Sequence, residues 1–435
     1  MQVIKTVLVG SFVAAASPLF AADATPSALT AEQQAEVRAL VKEVLADADS
    51  RSSLANGATA GIDNDGKVFL RSEDDKFGMN IGGLVQLRYD YHNESGAGAG
   101  NREGFDLRRV NLDIKGHLGG DQRVDYRLLL GTQLPGAGSS QEVGVEEAYL
   151  QHEVVDGLTV RAGKFVLPYS REQLIGHGSQ VAVDRSAVNS YFGLARAEGV
   201  QVQWTDGQNV VLRGAVSDGG NSESTSGLTD AVNFAASGRA DFLLAGGDQV
   251  SMSDFNDSFA LRDGSGKQGV LLGFAGYYED AKAVLVGPNA LESSYGATVD
   301  ATVKIGNLAF YGAGFITRRN VDNVQDVVTP WGALGQVDVA VANNLDVFGQ
   351  YQLITDDSTT GSGAEVFQAF TVGANYHLNS HVRLTGDVTY VYQGQPLAGT
   401  SVTPGNPGIN TTSNTGLIGG TEGETLVRLQ VQVKF

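Results

Sequence analysis

The stretch Met79-Asn-Ile-Gly-Gly-Leu-Val-Gln-Leu-Arg-Tyr-Asp-Tyr91 decides the fold. Met79, Ile81, Val85, Leu87, Tyr89 and Tyr91 alternate with Asn80, Gln86, Arg88 and Asp90. Successive side chains of a strand leave opposite faces of a sheet, so one face of this segment is apolar and the other is wet. Its length exceeds the ~9–11 residues with which a tilted strand crosses a bilayer. The form recurs as Tyr295, Ala297, Val299, Ala301, Val303 and Ile305 against Thr298, Asp300, Thr302 and Lys304. It recurs again over residues 331–341 and 382–392. Tyr89, Tyr91, Tyr295, Trp331, Tyr390 and Tyr392 sit near segment ends on the apolar side, where interfacial aromatic girdles belong.

About sixteen such segments fit between residues 78 and 435, an even number in the range of single-chain membrane barrels. Barrels of 16 to 18 strands leave an aqueous channel, whereas about 8 strands close on their own side chains. The expected fold is therefore all-β, a 16-stranded antiparallel transmembrane β-barrel with a short N-terminal periplasmic helix. Short turns at 306–307 and 343–344 contrast with long polar stretches at 218–229 and 393–423, which places the short turns in the periplasm and the long loops outside. Val427, Leu429, Val431, Val433 and Phe435 alternate with Arg428, Gln430, Gln432 and Lys434, so the chain ends inside a strand. Closure requires that strand to pair with the first, since no edge can face lipid. A soluble β-sandwich is the competing fold, but it would have shorter strands and no need of aromatic residues at both ends.

Composition agrees. The 435 residues include 57 glycines and 9 prolines, about 13% and 2%, against usual values of ~7% and ~5%. With no cysteine there is no disulfide scaffold, zinc-thiolate site, iron–sulfur cluster or thiol nucleophile. A net charge of −19 argues against nucleic-acid binding and against anionic membrane surfaces. The six histidines, His92, His117, His152, His177, His377 and His381, form no H-E-x-x-H pair, and no G-x-S-x-G elbow occurs. The chain is not read as an enzyme, and no catalytic residue, cofactor or metal ligand is assigned. Asp254-Phe-Asn-Asp257 and Asp356-Asp357 match no full calcium loop and read as solvated charge.

Residues 1–22 read as a signal peptide: Lys5 precedes an apolar run over 6–16, and small residues lie near a cleavage point between residues 21 and 24. Residues 23–66 read as a periplasmic segment. Thr30 to Gln33 forms a capping box, and Val37, Val41, Val44 and Ala48 give a short heptad seam, so residues 30–51 form an amphipathic helix or coiled coil. Residues 52–66 read as a glycine-rich linker. Residues 67–435 are the barrel. The helix raises an alternative role, a structural protein that tethers the barrel to the cell wall.

Phe105-Asp-Leu-Arg-Arg-Val-Asn-Leu-Asp-Ile-Lys-Gly116 resembles the second-strand motif of the phosphate- and polyphosphate-selective porins, the porin O and P family. Val145-Glu-Glu-Ala-Tyr-Leu150, Leu158-Thr-Val-Arg-Ala-Gly-Lys-Phe-Val-Leu-Pro-Tyr-Ser-Arg-Glu172, Asp184-Arg-Ser186 and Arg196-Ala-Glu-Gly-Val-Gln201 extend the likeness, which is strongest over residues 78–204. The resemblance implies a homotrimer of outer-membrane channels that pass small hydrophilic solutes and ions by diffusion, each with its third loop folded inward. An anion or phosphate preference is implied by the family name alone. The helix lies outside the family pattern.

Rings of Arg and Lys in a narrow lumen favour anions, and rings of Asp and Glu favour cations. Parity sends Arg88, Lys115, Arg127, Arg161, Arg213, Arg239, Lys304 and Arg383 inward. It also sends Asp90, Asp113, Asp125, Asp241, Asp300, Asp338, Asp346 and Asp387 there, so the two sets nearly cancel. The presumed inward loop, residues 168–199, carries Arg171, Arg185, Arg196 and His177 against Glu172, Asp184 and Glu198. With Arg108, Arg109, Arg127, Arg161 and Lys164 on the facing wall, Arg171, Arg185 and Arg196 are the candidates for an anion-attracting constriction. Each arginine has a plainer alternative, an ion pair with a neighbouring acid that stiffens the wall.

Overall fold

The structure, a computed structural model, describes residues 58–63, 66–93, 100–133, 142–220, 232–245, 250–261, 267–281, 291–321, 329–356, 365–394, 417 and 422–435. The expected signal peptide and the helix at 30–51 lie outside the described residues.

The strands are β1 Ala58–Ile62, β2 Val68–Ser72, β3 Phe77–Asn93, β4 Asn101–Leu118, β5 Val124–Gln133, β6 Glu142–Val155, β7 Leu158–Val166, β8 Arg196–Thr205 and β9 Val210–Ser217. They continue as β10 Val232–Ala245, β11 Gln268–Ala281, β12 Leu291–Ile305, β13 Leu308–Val321, β14 Trp331–Ala342, β15 Leu345–Asp356, β16 Glu365–His377, β17 Val382–Gln393 and β18 Thr425–Lys434. Each strand from β3 to β18 pairs antiparallel with the next, and β18 returns to β3 from Thr425↔Asn93 to Lys434↔Leu84. Sixteen strands thus close a barrel without an edge, as the terminal alternation requires.

Burial is inverted relative to a soluble protein. Val299, Phe274, Phe310 and Leu429 are exposed on the outer face, while Arg88, Arg239, Asp300 and Lys304 are buried inside. Apolar side chains that face outward all round a closed sheet are those of a wall meant for hydrocarbon. The sequence pattern has this inversion built in, because every strand has one wet and one apolar face.

Two features depart from the sequence reading. The stretch taken as linker contains a strand: β1 and β2 form a hairpin with Ala58↔Ser72 to Ile62↔Val68 in register. Its turn is local chemistry, with Asp63 Oδ1 accepting from Lys67 N at 2.8 Å and Gly66 at φ 78°. A polar, glycine-rich run can be a turn as well as a linker. The hairpin has a structural task. Residues 77–83 of β3 extend beyond the end of β18, and β2 pairs with them from Val68↔Ile81 to Arg71↔Gly78, covering an edge that would otherwise be bare.

The second departure concerns the short-turn end. Connections at 119–123, 156–157, 206–209, 306–307, 343–344 and 378–381 are short, but 246–267 is not. Its described part, residues 250–261, enters the barrel.

Candidate functional site

Among the described residues two segments enter the lumen, one from each end. The first follows β7 and spans residues 167–195. It holds two short helices, Arg171–Leu174 and Ala187–Phe192, whose N-cap side chains Ser170 and Ser186 accept from Gln173 N and Asn189 N. Glu172 joins them, its carboxylate accepting from Ser186 N at 2.7 Å and Ser186 Oγ at 2.6 Å. Arg185 closes the underside, donating from Nη2 to Ile175 O at 2.8 Å and from Nε to Glu172 O at 3.1 Å. The segment is a compact knot because its polar backbone groups find partners within itself.

That knot is fixed to one side of the barrel. Tyr169, Val188, Tyr191, Phe192 and Leu194 pack against Phe315, Leu334, Ile354, Phe367 and Leu426, an apolar cluster inside the lumen. Phe192 stacks on Phe315 at 5.5 Å. Polar anchors frame the cluster. Ala187 N donates to Gln352, Asn375 to Val181 O and Val183 N to Asp387, while Tyr191 donates to Asp356, which also pairs with Arg319 at 3.0 Å. Arg239, held by Asp241 and Asp300, donates to Tyr169 O at 2.7 Å at the root of the segment.

At its centre Asp184, fully buried, enters a cage of guanidiniums. Arg88 lies 2.5 Å away, Arg109 3.1 Å, Arg108 3.2 Å and Arg428 3.4 Å. Burial alone would raise its carboxyl, but Arg108, Arg88, Arg109 and Arg428 outweigh burial and hold it well below the usual carboxylate range. Arg108 and Arg109 both reach inward because a β-bulge interrupts the β3–β4 register between Gln86↔Arg109 and Leu87↔Leu107.

The second segment, residues 250–261, rises from the short-turn end. Lys304 Nζ donates to Asp254 O at 2.7 Å and to Asp257 at 2.8 Å, Asp338 accepts from Ala260 N at 2.8 Å, and Phe259 packs on Val181, Ala182 and Phe348. Asp254, expected to be solvated, closes a capping box with Ser251, and Asp257 is paired rather than free in solvent. The two inward segments touch: Ser258 N donates to Ser179 O at 3.0 Å, and Arg171 donates to Phe255 O.

Among the described residues a cavity of about 600 Å³ runs along the opposite wall. Its charged side chains are Lys67, Lys115, Arg127, Arg161, Arg171, Arg185, Arg196, Arg213 and Lys434 against Asp63, Asp113 and Glu147, nine cationic to three acidic. His177 also lines it. Burial, then Arg109, Arg185, Arg196 and Arg108, push its imidazole well below the ordinary value, and Arg185 Nη1 donates toward a ring nitrogen at 3.0 Å.

The eight arginine and lysine candidates therefore separate. Arg127, Arg161, Arg171, Arg185 and Arg196 line the cavity. Arg127 pairs with Asp113 at 2.8 Å and Glu147 at 2.7 Å, and Arg196 with Glu146 and Glu147 at 3.0 and 3.3 Å. Arg161 stacks 4.1 Å over Tyr149. Arg108 and Arg109 belong to the Asp184 cage behind the loop, not to the cavity wall. Lys164 does not line the cavity; it stands in register with Ala148 of β6 and Glu198 of β8. Alternation that counts from Arg161 would have found this. Arg88, Arg428 and Asp184 as one unit were missed, since three separate elements bring them together.

Residues 79–258 match the family described as phosphate-selective porin O and P. No curated protein matches the chain. Among solved structures, OmpT of Vibrio cholerae is similar at a TM-score of 0.56 and 10% identity over 83% of this chain and 98% of that one. An anion-selective porin from Comamonas acidovorans gives 0.55 and 16% over 82% and 100%, and the outer-membrane channel DcaP of Acinetobacter baumannii 0.53 and 12% over 84% and 99%. At these identities the likeness is one of fold, the closed 16-stranded barrel.

Proposed function

We propose, from the match of residues 79–258 to the porin O and P family, that this chain is an outer-membrane channel through which small hydrophilic solutes diffuse, with anions preferred over cations. The single observation that carries the preference is the lining of the open cavity, nine cationic side chains to three acidic ones, an excess that remains when Glu146 and Asp241, paired with Arg196 and Arg213, are added. A cation excess in a confined space lowers the barrier for anions more than a bulk count suggests, because low-dielectric walls focus the field. Arg127, Arg161, Arg171, Arg185 and Arg196 are the candidate contacts for a passing anion. One similar solved structure is an anion-selective porin from Comamonas acidovorans, which supports the same reading.

Export by a cleaved leader at residues 1–22 and assembly as a homotrimer in outer-membrane lipid complete the proposal. The trimer is supported by one OmpT structure described as a trimer form. The test is the reversal potential of the reconstituted protein in a KCl gradient, with phosphate then added. Chloride over potassium is expected, and saturable reduction of the chloride current by phosphate would extend the preference to that ion. Potassium over chloride would overturn the anion reading.

A further inference from the structure

We propose that Arg88, Arg108, Arg109 and Arg428 form a binding site for a small carboxylate and that the protein's own Asp184 occupies it, so the inward loop is latched by an internal ligand. The inference rests on the channel reading above and concerns the buried face of the loop, not the open cavity.

The cage is built from three strands. Arg88 comes from β3, Arg108 and Arg109 from β4, and Arg428 from β18. Its acceptor comes from a segment far away in sequence. Asp184 Oδ1 accepts from Arg108 and Arg109, and Oδ2 from Arg88 and Arg428, so both oxygens of a planar carboxylate are fully engaged. Four guanidiniums thus converge on one carboxylate, two on each oxygen, by the charge-assisted hydrogen bonds through which arginine recognises this group. The remaining acids of the neighbourhood have fixed places in the wall. Asp90 lies 2.8 Å from Arg88, Asp106 3.5 Å from Arg88, and Asp387 2.6 Å from Arg428. Among the described residues these four guanidiniums and Asp184 stand with Asp90, Asp106 and Asp387, so removal of Asp184 takes one negative charge from the cage. All four arginines and Asp184 are buried, so an absent carboxylate leaves desolvated positive charge behind. A solute that supplies a carboxylate would restore the balance.

The cage also explains why the loop is held here. Asp184 lies between Val183, whose N donates to Asp387, and Arg185, which knots the underside of the loop. The latch therefore ties the knot to β3, β4, β17 and β18 at one point.

The experiment uses acetate, which is the aspartate side chain without its backbone, on the full-length protein in planar bilayers and in detergent. Asp184→Ala opens a space of the right size, and Asp184→Asn keeps the space filled but removes the charge. Both variants are expected to raise the chloride-to-potassium permeability ratio above wild type by less than roughly fivefold, the Boltzmann factor of one unit charge at ~4 Å in a water-like dielectric, because the cage lies behind the loop and farther from the path. Acetate should return Asp184→Ala toward the wild-type ratio in a saturable manner, and should raise its thermal unfolding temperature in detergent. It should do neither to wild type or to Asp184→Asn. A ratio unchanged in both variants, or a Asp184→Ala protein indifferent to acetate in current and in unfolding, overturns the proposal while a chloride-selective wild type leaves the channel reading standing. If Asp184→Ala does not fold, the ratio of Asp184→Asn decides. If no protein conducts, the channel reading fails and the acetate-dependent unfolding temperature decides the cage by itself. Rescue by phosphate and not by acetate would refute the carboxylate assignment.

Discussion

Replacing Arg239 by Met should destabilise the barrel far more than the loss of an ordinary ion pair. Arg239 Nη1 and Nη2 lie 2.7 and 2.9 Å from the two oxygens of Asp300, Nε lies 2.9 Å from Asp241, and Nη1 also donates to Tyr169 O at 2.7 Å. Asp300 and Asp241 are each only 2% exposed. A solvated pair contributes about 0–1 kcal/mol, whereas taking one partner from a buried pair costs about 3–5 kcal/mol, because the charge that remains stays desolvated. Arg213, 2.6 Å from Asp241, still serves that acid, so most of the cost falls on Asp300. The assay is urea unfolding in detergent followed by the fluorescence of Trp204 and Trp331, with wild type and Arg239→Met compared at one detergent concentration. Arg239→Met combined with Asp300→Leu should recover most of the loss, since it removes the stranded charge as well. A single variant that costs less than about 1 kcal/mol, or a double variant worse than the single, would refute the reasoning. Arg239 also holds the root of the inward loop through Tyr169 O, so the single variant should show a noisier open-channel current.

Three further outcomes follow from the geometry. Arg161→Glu, which changes the cavity lining from nine cations and three acids to eight and four, should shift the reversal potential toward potassium, whereas Lys164→Glu, outside that lining, should leave it near wild type. Replacement of residues 250–261 by a short Gly-Ser turn should raise single-channel conductance, and an unchanged conductance would show that this segment does not narrow the path. His177 should make the loop less stable in acid. Its folded value lies well below the unfolded value of ~6.5, so below that pH the unfolded loop binds the extra proton and the folded loop does not, and stability falls as pH falls. Current noise should accordingly grow below about pH 6.5 in wild type and stay flat in His177→Gln.

The barrel was legible because membrane strands must repeat one simple constraint, and residues 79–91 state it almost without interruption. Closure was legible for the same reason: an alternating strand over residues 425–434 needs a partner on each side, and β3 supplies one. The interior was less legible, because it depends on contacts between distant segments. Parity located Arg88 and Asp387 but not the bulge that turns both Arg108 and Arg109 inward, nor the carboxylate of Asp184 that both of them reach. The segment 250–261 defeats pattern reading altogether. Met-Ser-Asp-Phe-Asn-Asp resembles a solvated turn, and only the position of Lys304, Asp338 and Phe348 around it shows that it is folded into the lumen. The hairpin β1–β2 was lost to the same ambiguity, since Asp, Asn and Gly serve linkers and turns alike.

The proposed preference for anions is the point at which whole-chain charge misleads. The sequence carries 49 acidic against 30 basic residues, which taken alone suggests a cation pathway. Charges more than a Debye length of ~8–10 Å from the path are screened, so the sum over the chain does not act on a solute in transit. What acts is the lining, and the inward segments determine which lining is exposed. They cover a face on which acids and bases are paired, Asp356 with Arg319 and Asp387 with Arg428, and leave open the face that carries Arg127, Arg161 and Arg213. The loop and the rising segment thus select the charge of the path by choosing which half of a nearly balanced lumen the solute meets. A change that frees either segment should therefore move selectivity toward cations even where no charge is altered, and the Gly-Ser replacement of residues 250–261 provides that case. An enlarged conductance with an unchanged reversal potential would separate the two effects and show that the occluded acids do not govern the open path.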